Sequence, residues 1–284
     1  MAAQKYIAWD TSSATGVVVA FEITDADSRP KFRLVSEWSL SFETGKHSER
    51  LLWTIDIVMK SAGWKLADLT AIGVGVGPGS FTGLRIGITT AKILAAQLKI
   101  PTVAVSSLAM LARGMVSLLE TDKKNDQTLL IACTDATKGE WFTLMGTLKS
   151  VRDCISMAEG DEAGLWSRAT IEKTLTPEEV MEQAKTFLKK NPKSSWLAIG
   201  QSVERYPEVW KTLPVKRKIE IYTVALHQVQ PRMLAQLVWE SVQQGVFRDP
   251  LLLKPRYLRD SEAEVKLKKG QLKVAPVIHR GGIA

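Results

Sequence analysis

The chain has 284 residues, 45% of them hydrophobic and 24% charged, which suits one large or two ordinary globular domains and excludes collagenous or low-complexity classes. Its net charge of +8 is uneven: Lys254–Ala284 holds eight Lys/Arg against three Asp/Glu, while the rest holds 30 against 27. The two cysteines, Cys133 and Cys154, have no C-x-x-C spacing, and no apolar run reaches the roughly 18 residues of a membrane span, so neither a disulfide framework nor a membrane helix is expected.

The start, "MAAQKYIAWD", enters a strand pattern at once and leaves no room for a signal peptide, so a soluble cytoplasmic protein is expected. Three strand-like runs follow one another: "KYIAWDT", "GVVVAFE" and "FRLVSEWSLSF". A helix is predicted from His47 to Ala62. Leu51, Leu52, Ile55, Val58, Met59 and Ala62 share one face, Lys60 suits its last turn, and Gly63 can take a left-handed cap with Trp64 folding back on Met59. "LTAIGVGV" reads as a strand, a glycine-rich loop follows, a second helix is predicted over Ser80–Leu98, and "PTVAV" closes a first lobe over residues 1–105.

A helix near Leu108–Leu119 opens the second lobe, residues 106–230. There "TLLIACTDATKGEWFTLMG" repeats the plan of "KYIAWDTSSATGVVVAFE": an apolar strand ending in Asp, a hydroxyl-rich turn, a glycine and an apolar return strand. Asp10 and Asp135 hold equivalent places about 125 residues apart, which suggests duplication. Thr176, Pro177 and Glu179 form a capping box for a further helix that ends at Asn191-Pro192, and "SSWLAIG" is a strand. A last helix spans 231–247 at most and is expected to pack back on the first lobe, and 248–284 reads as an extended, basic tail. Such a tail can touch RNA phosphate, although a solvated end is the plainer reading.

The loop "VGVGPGSFTGLRIG" invites a phosphate-binding reading, and the motifs fail. In G-x-G-x-x-G registers from Gly73, Gly75 or Gly77 the last position is Pro78, Ser80 or Thr82, and the loop holds no Gly-Lys pair for a P-loop. A weak anion site at the helix start stays open. Down the helix, Gly83, Gly87, Ala91 and Ala95 stand at four-residue steps, and a glycine inside a helix costs about 1 kcal/mol relative to alanine. A ridge without side chains admits another backbone, either this protein's own sheet or a partner helix. With Leu84 and Ile88 beside it, and Trp53, Ile57 and Trp64 around the preceding helix, the pattern favours a helical protein–protein interface.

Catalytic patterns are missing. His47, His227 and His279 form no H-x-x-x-H or H-E-x-x-H pair, Ser80 lies outside a G-x-S-x-G elbow, and Cys133 reads as strand core. Asp10 and Asp135 could hold Mg²⁺ for phosphoryl chemistry or cap their own turns, and the second reading is favoured.

Four segments, "IAWDTSSATGVVVAF", "HSERLLWTIDIVMKSAG", "VGVGPGSFTGLRIGITTAKILA" and "IPTVAVSSLAMLA", in this order and spacing resemble the bacterial TsaB (YeaZ) family. Weaker echoes follow in "IACTDATKGEWFTLM", "IGQSVERYPEVW", "QPRMLAQLVWE" and "KPRYLRDSEAE". Residues 151–173 and 266–284 follow no pattern of that family. The resemblance implies an α/β, actin/hexokinase/Hsp70-like (ASKHA) fold of two duplicated lobes with mixed sheets flanked by helices. It implies a non-catalytic subunit that pairs with a TsaD-like subunit, joined by a TsaE-like ATPase, in threonylcarbamoylation of the adenosine beside the tRNA anticodon. No cofactor is expected on this subunit; ATP and metal belong to the partners, and tRNA is met through the complex. A homodimer is expected when the partner is absent.

Carried onto this sequence, the partner surface would comprise His47, Leu51, Leu52, Ile55, Met59, Gly83, Leu84, Gly87, Ile88 and Ala91. A remnant nucleotide cleft would comprise Asp10, Thr11, Ser12, Gly77, Gly79 and Asp135. The alternatives are an independent sugar-kinase-like ATPase and an M22-type glycoprotease-like metallopeptidase. TsaD proteins hold metal with an H-x-x-x-H pair, and its absence here speaks against the peptidase.

Overall fold

Two β-sheets, each led by a strand that ends in an aspartate, organise the chain. The computed structural model describes residues 3–26, 29–41, 47–119, 126–153, 171–214 and 228–258. Strands β1 (Gln4–Asp10), β2 (Thr15–Ala26) and β3 (Arg29–Ser41) form an antiparallel meander. Strands β4 (Leu69–Gly77) and β5 (Thr102–Ser106) join in parallel on the other side of β1, giving the order β3-β2-β1-β4-β5. The near-continuous apolar runs of β1 and β4 follow from burial on both faces.

Helices α1 (His47–Ala62) and α2 (Phe81–Leu98) cover one face of this sheet, sharing a core with Ile7, Trp9, Val18 and Ile72. Helix α1 ends where the sequence says. Gly63 adopts φ +69°, Gly63 N donates to Lys60 O at 3.0 Å and Trp64 N to Met59 O at 3.0 Å, a left-handed cap that satisfies the last carbonyls. Ser80 is the N-cap of α2 rather than its first residue, its hydroxyl accepting from Gly83 N at 3.2 Å.

Helix α3 (Ser107–Leu119) carries the chain to the second sheet, which repeats the first. Strands β6 (Leu129–Asp135), β7 (Trp141–Thr147) and β8 (Ile171–Leu175) form a second antiparallel meander, and β9 (Trp196–Ile199) joins parallel to β6. The order β8-β7-β6-β9 matches β3-β2-β1-β4 strand for strand. Helix α4 (Leu148–Asp153) and strand β8 fall within the stretch 151–173 and beside it, where the sequence assigned nothing; 154–170 lie outside the described residues. Helix α5 (Pro177–Lys190) starts at the expected capping box, Thr176 and Glu179 satisfying each other's backbone N–H at 3.3 and 2.7 Å. Two short helices, α6 (Gln201–Arg205) and α7 (Pro207–Trp210), follow β9.

Helix α8 (Pro231–Gln243) returns to the first sheet and covers its second face, where Leu234, Leu237 and Val238 pack with Tyr6, Val19 and Val105. Beyond it Arg248 bridges to Thr102, Pro250–Leu252 makes one 3₁₀ turn, and the chain runs extended to residue 258. Of the tail expected over 248–284, residues 248–258 are instead docked on the body, with Leu253 buried, and 259–284 lie outside the described residues. Among the described residues no helix is long and apolar enough to cross a membrane.

Candidate functional site

The glycine loop leaves β4 and meets the protein's own first turn. A Cβ at Gly75 would lie 1.8 Å from Asp10 Oδ2, at Gly79 2.3 Å from Ser12 O, at Gly83 2.0 Å from Thr11 O and at Gly87 2.3 Å from Thr11 Oγ1. Side chains tie the same surfaces together: Trp9 Nε1 donates to Gly87 O at 3.0 Å and Thr11 Oγ1 to Gly83 O at 2.7 Å. Ser80 N donates to Ser12 O at 2.6 Å. The small-residue ridge therefore packs inward on the end of β1, which is the alternative the sequence pattern ranked second.

This placement bears on the expected partner surface. Leu51, Ile55, Met59, Gly83, Leu84, Gly87, Ile88 and Ala91 are all buried in the first-lobe core of the isolated chain. Their periodicity marks the buried stripe of an amphipathic helix. Of the ten, only Leu52 is an exposed side chain; His47 opens α1, and its side chain lies outside the described residues. Among the described residues the exposed large apolar side chains of this layer are Leu52 (52%) and Trp53 (57%) on α1, Phe81 (39%) and Ile93 (63%) on α2, and Trp38 (44%) on β3. Trp38 and Trp53 meet edge to face with ring centroids 6.2 Å apart. Large aromatics left this exposed are the residue type that anchors interfaces.

A cleft of about 930 Å³ separates the turn after β1 from the turn after β6. Ser12, Gly79 and Asp135 line it; Asp10, Thr11 and Gly77 stand behind its wall. Asp10 is fully buried, its Oδ1 accepting from Ser12 N (3.0 Å) and Ser12 Oγ (2.6 Å) and its Oδ2 from Ser107 Oγ (2.6 Å). Burial pushes its pKa above the usual carboxylate value, and these hydrogen bonds oppose that shift without cancelling it. Asp135 accepts from Thr137 N (2.7 Å), Arg205 Nη1 (2.5 Å) and Tyr206 Oη (3.3 Å). Both carboxylates thus cap their own turns, as the sequence favoured. Among the described residues no group of three His, Cys, Asp or Glu converges to hold an ion.

Sequence reasoning missed the third wall of the cleft, formed by Arg256, Tyr257 and Leu258. Tyr257 stacks on Phe81 (5.1 Å) and accepts from Arg85 Nε (3.2 Å), while the Arg85 guanidinium lies 3.8 Å over the Phe81 ring. The only signal for this wall was the echo in "KPRYL", which has no periodicity to read.

The sequence profile of the family described as "TsaD: tRNA N6-adenosine threonylcarbamoyltransferase" matches residues 43–267. The chain is 29% identical over 226 residues to the tRNA threonylcarbamoyladenosine biosynthesis protein TsaB of Escherichia coli, covering 78% of this chain and 84% of that protein. It is 28% identical over 261 residues to the TsaB of Bacillus subtilis, covering 92% and 96%. In fold it resembles YeaZ from Pseudomonas aeruginosa, with a TM-score of 0.59 and 23% identity over 90% of this chain and 100% of that one. The doubled mixed sheets and flanking helices are the ASKHA-like architecture that the sequence resemblance implied. The chain belongs to the TsaD family, and within that family it is similar to the TsaB (YeaZ) proteins.

Proposed function

We propose that this chain is an accessory subunit in tRNA threonylcarbamoyladenosine biosynthesis, docking a TsaD-like catalytic partner on the outer sides of α1 and α2 and performing no chemistry itself. The observation that carries this reading is the exposed Trp38–Trp53 pair, with Leu52 and Ile93 on helices whose inner sides are already committed to the core. A TsaE-like ATPase joins the pair, ATP and metal are held by the partners, and tRNA is reached through the complex. When the partner is absent, the same apolar surface self-associates as a homodimer.

The state of the two aspartates supports the non-catalytic part. Asp10 accepts three hydrogen bonds from two serines, and Asp135 is held by Arg205 and Tyr206. A sugar-kinase-like ATPase or metallopeptidase would need such carboxylates free to meet a cation. Reconstitution tests the reading. The TsaD-like and TsaE-like subunits of the same organism should modify tRNA only when this chain is added, and this chain alone should give no product. Full modification without it would overturn the proposal, as would hydrolysis of ATP by the isolated chain that Asp10→Asn abolishes.

A further inference from the structure

Six residues near the end of the described chain grip both sides of the cleft. On the first-lobe side Leu253 is buried in the core, Arg256 N donates to Val76 O at 2.7 Å, and Tyr257 is held by Phe81 and Arg85. On the second-lobe side Arg256 Nη1 lies 2.7 Å from Glu172 Oε2, an ion pair without the alignment of a hydrogen bond. Thr174 Oγ1 donates to Leu258 O at 3.0 Å, and Leu258 packs on the second-lobe core.

Glu172 also accepts from Ser106 Oγ, at the point where β5 hands over to α3 and the chain crosses between lobes. The next residue, Ser107, holds Asp10 of the first lobe. Crossover and terminal segment therefore converge on one carboxylate whose side chain is 0% exposed, while the Arg256 side chain is 15% exposed.

We propose that Leu253–Leu258 is an interlobe clasp: it pins the second lobe to the first through Arg256–Glu172 and fixes the opening of the cleft. Swinging the lobes apart would pull an arginine away from a buried carboxylate, where the low dielectric makes their attraction strong. The segment's other holds lie on both sides, Val76 and Phe81 on the first lobe and Thr174 on the second, so the lobes part only if one set lets go. The clasp stands whether or not the partner reading above holds, because every contact in it is internal to this chain.

Spin-label distance measurement on the full chain tests it. Labels at Lys60→Cys on α1 and Lys185→Cys on α5, both exposed, report the interlobe distance in a Cys154→Ser background. With the labelled protein diluted into an excess of unlabelled chain, so that only distances within one chain are read, a single narrow distribution is expected with the clasp intact. Arg256→Ala should broaden it and add longer distances, Arg256→Lys should recover part of the narrow component, and Tyr257→Ala should broaden it less. If Arg256→Ala does not fold, Tyr257→Ala combined with Thr174→Val supplies the reading, since it spares the buried pair. An unchanged distribution in a folded clasp variant overturns the proposal.

Discussion

Trp9 and Gly87 are joined by a hydrogen bond from the indole Nε1 to the glycine carbonyl at 3.0 Å, which fastens the middle of α2 to the end of β1. With Thr11 bound to Gly83 O one turn earlier, the helix is docked by its backbone, and no side chain fits between. The ridge of small residues is thus a fold device. A large residue at Gly87 would break the protein before it could report on any partner.

Alanine at the two glycines separates the two contacts. Gly87→Ala puts its Cβ against Thr11 Oγ1, and overpacking of this kind costs about 1–3 kcal/mol. Thr11→Ala removes the offending oxygen, so the double variant should be destabilised by less than the sum of the singles. Gly83→Ala meets the backbone oxygen of Thr11, which no change at that side chain removes. Thermal unfolding of the four variants checks the pattern; strict additivity at 87 would contradict it.

Asp10 gives a pH signature. Its folded pKa is raised by burial, so the native protein keeps this proton to higher pH than the unfolded chain, whose value is about 3.9. Stability contributed by Asp10 is fully present below about pH 4 and falls as pH rises toward the folded value. Asp10→Asn stays neutral throughout, so the stability difference should move in favour of Asn as pH increases from about 4. Denaturant titrations at several pH values read this directly, and a difference that moves toward Asp with rising pH would refute the assignment.

Thr176→Ala should lower stability by about 1 kcal/mol, the usual loss for an N-cap hydroxyl, because Glu179 N loses its acceptor. Glu179→Gln keeps a reciprocal acceptor for Thr176 N and should lose less. A loss from Glu179→Gln as large as that from Thr176→Ala would contradict this ranking.

How much of this was legible in the sequence depends on whether the signal was local. The end of α1 at Gly63 and the box at Thr176 were readable because caps are set by residues within one turn. The repeat was readable because β1 and β6 each carry an apolar run into an aspartate, and the matching strand orders extend that likeness. Strand β8 was not readable: it is a five-residue edge strand, and its place depends on pairing with β7. The side to which Gly83 and Gly87 point was not readable either. A small-residue stripe fits a neighbouring backbone without saying whose, and Trp9 and Thr11, some 72–78 residues away, decide it. The wall at Arg256–Leu258 was missed because extended chain held by long-range contacts has no period.

The central claim is that the outer sides of α1 and α2 carry the partner, and affinity for the TsaD-like subunit tests it most directly. Leu52→Glu, Trp53→Ala and Ile93→Glu alter exposed side chains, so each should leave the melting temperature nearly unchanged. Loss of an anchor in a desolvated interface costs about 2 kcal/mol or more, so Kd measured by calorimetry should rise by roughly 30-fold or more for Trp53→Ala. Folded variants that all bind the TsaD-like subunit with unaltered Kd would contradict the account.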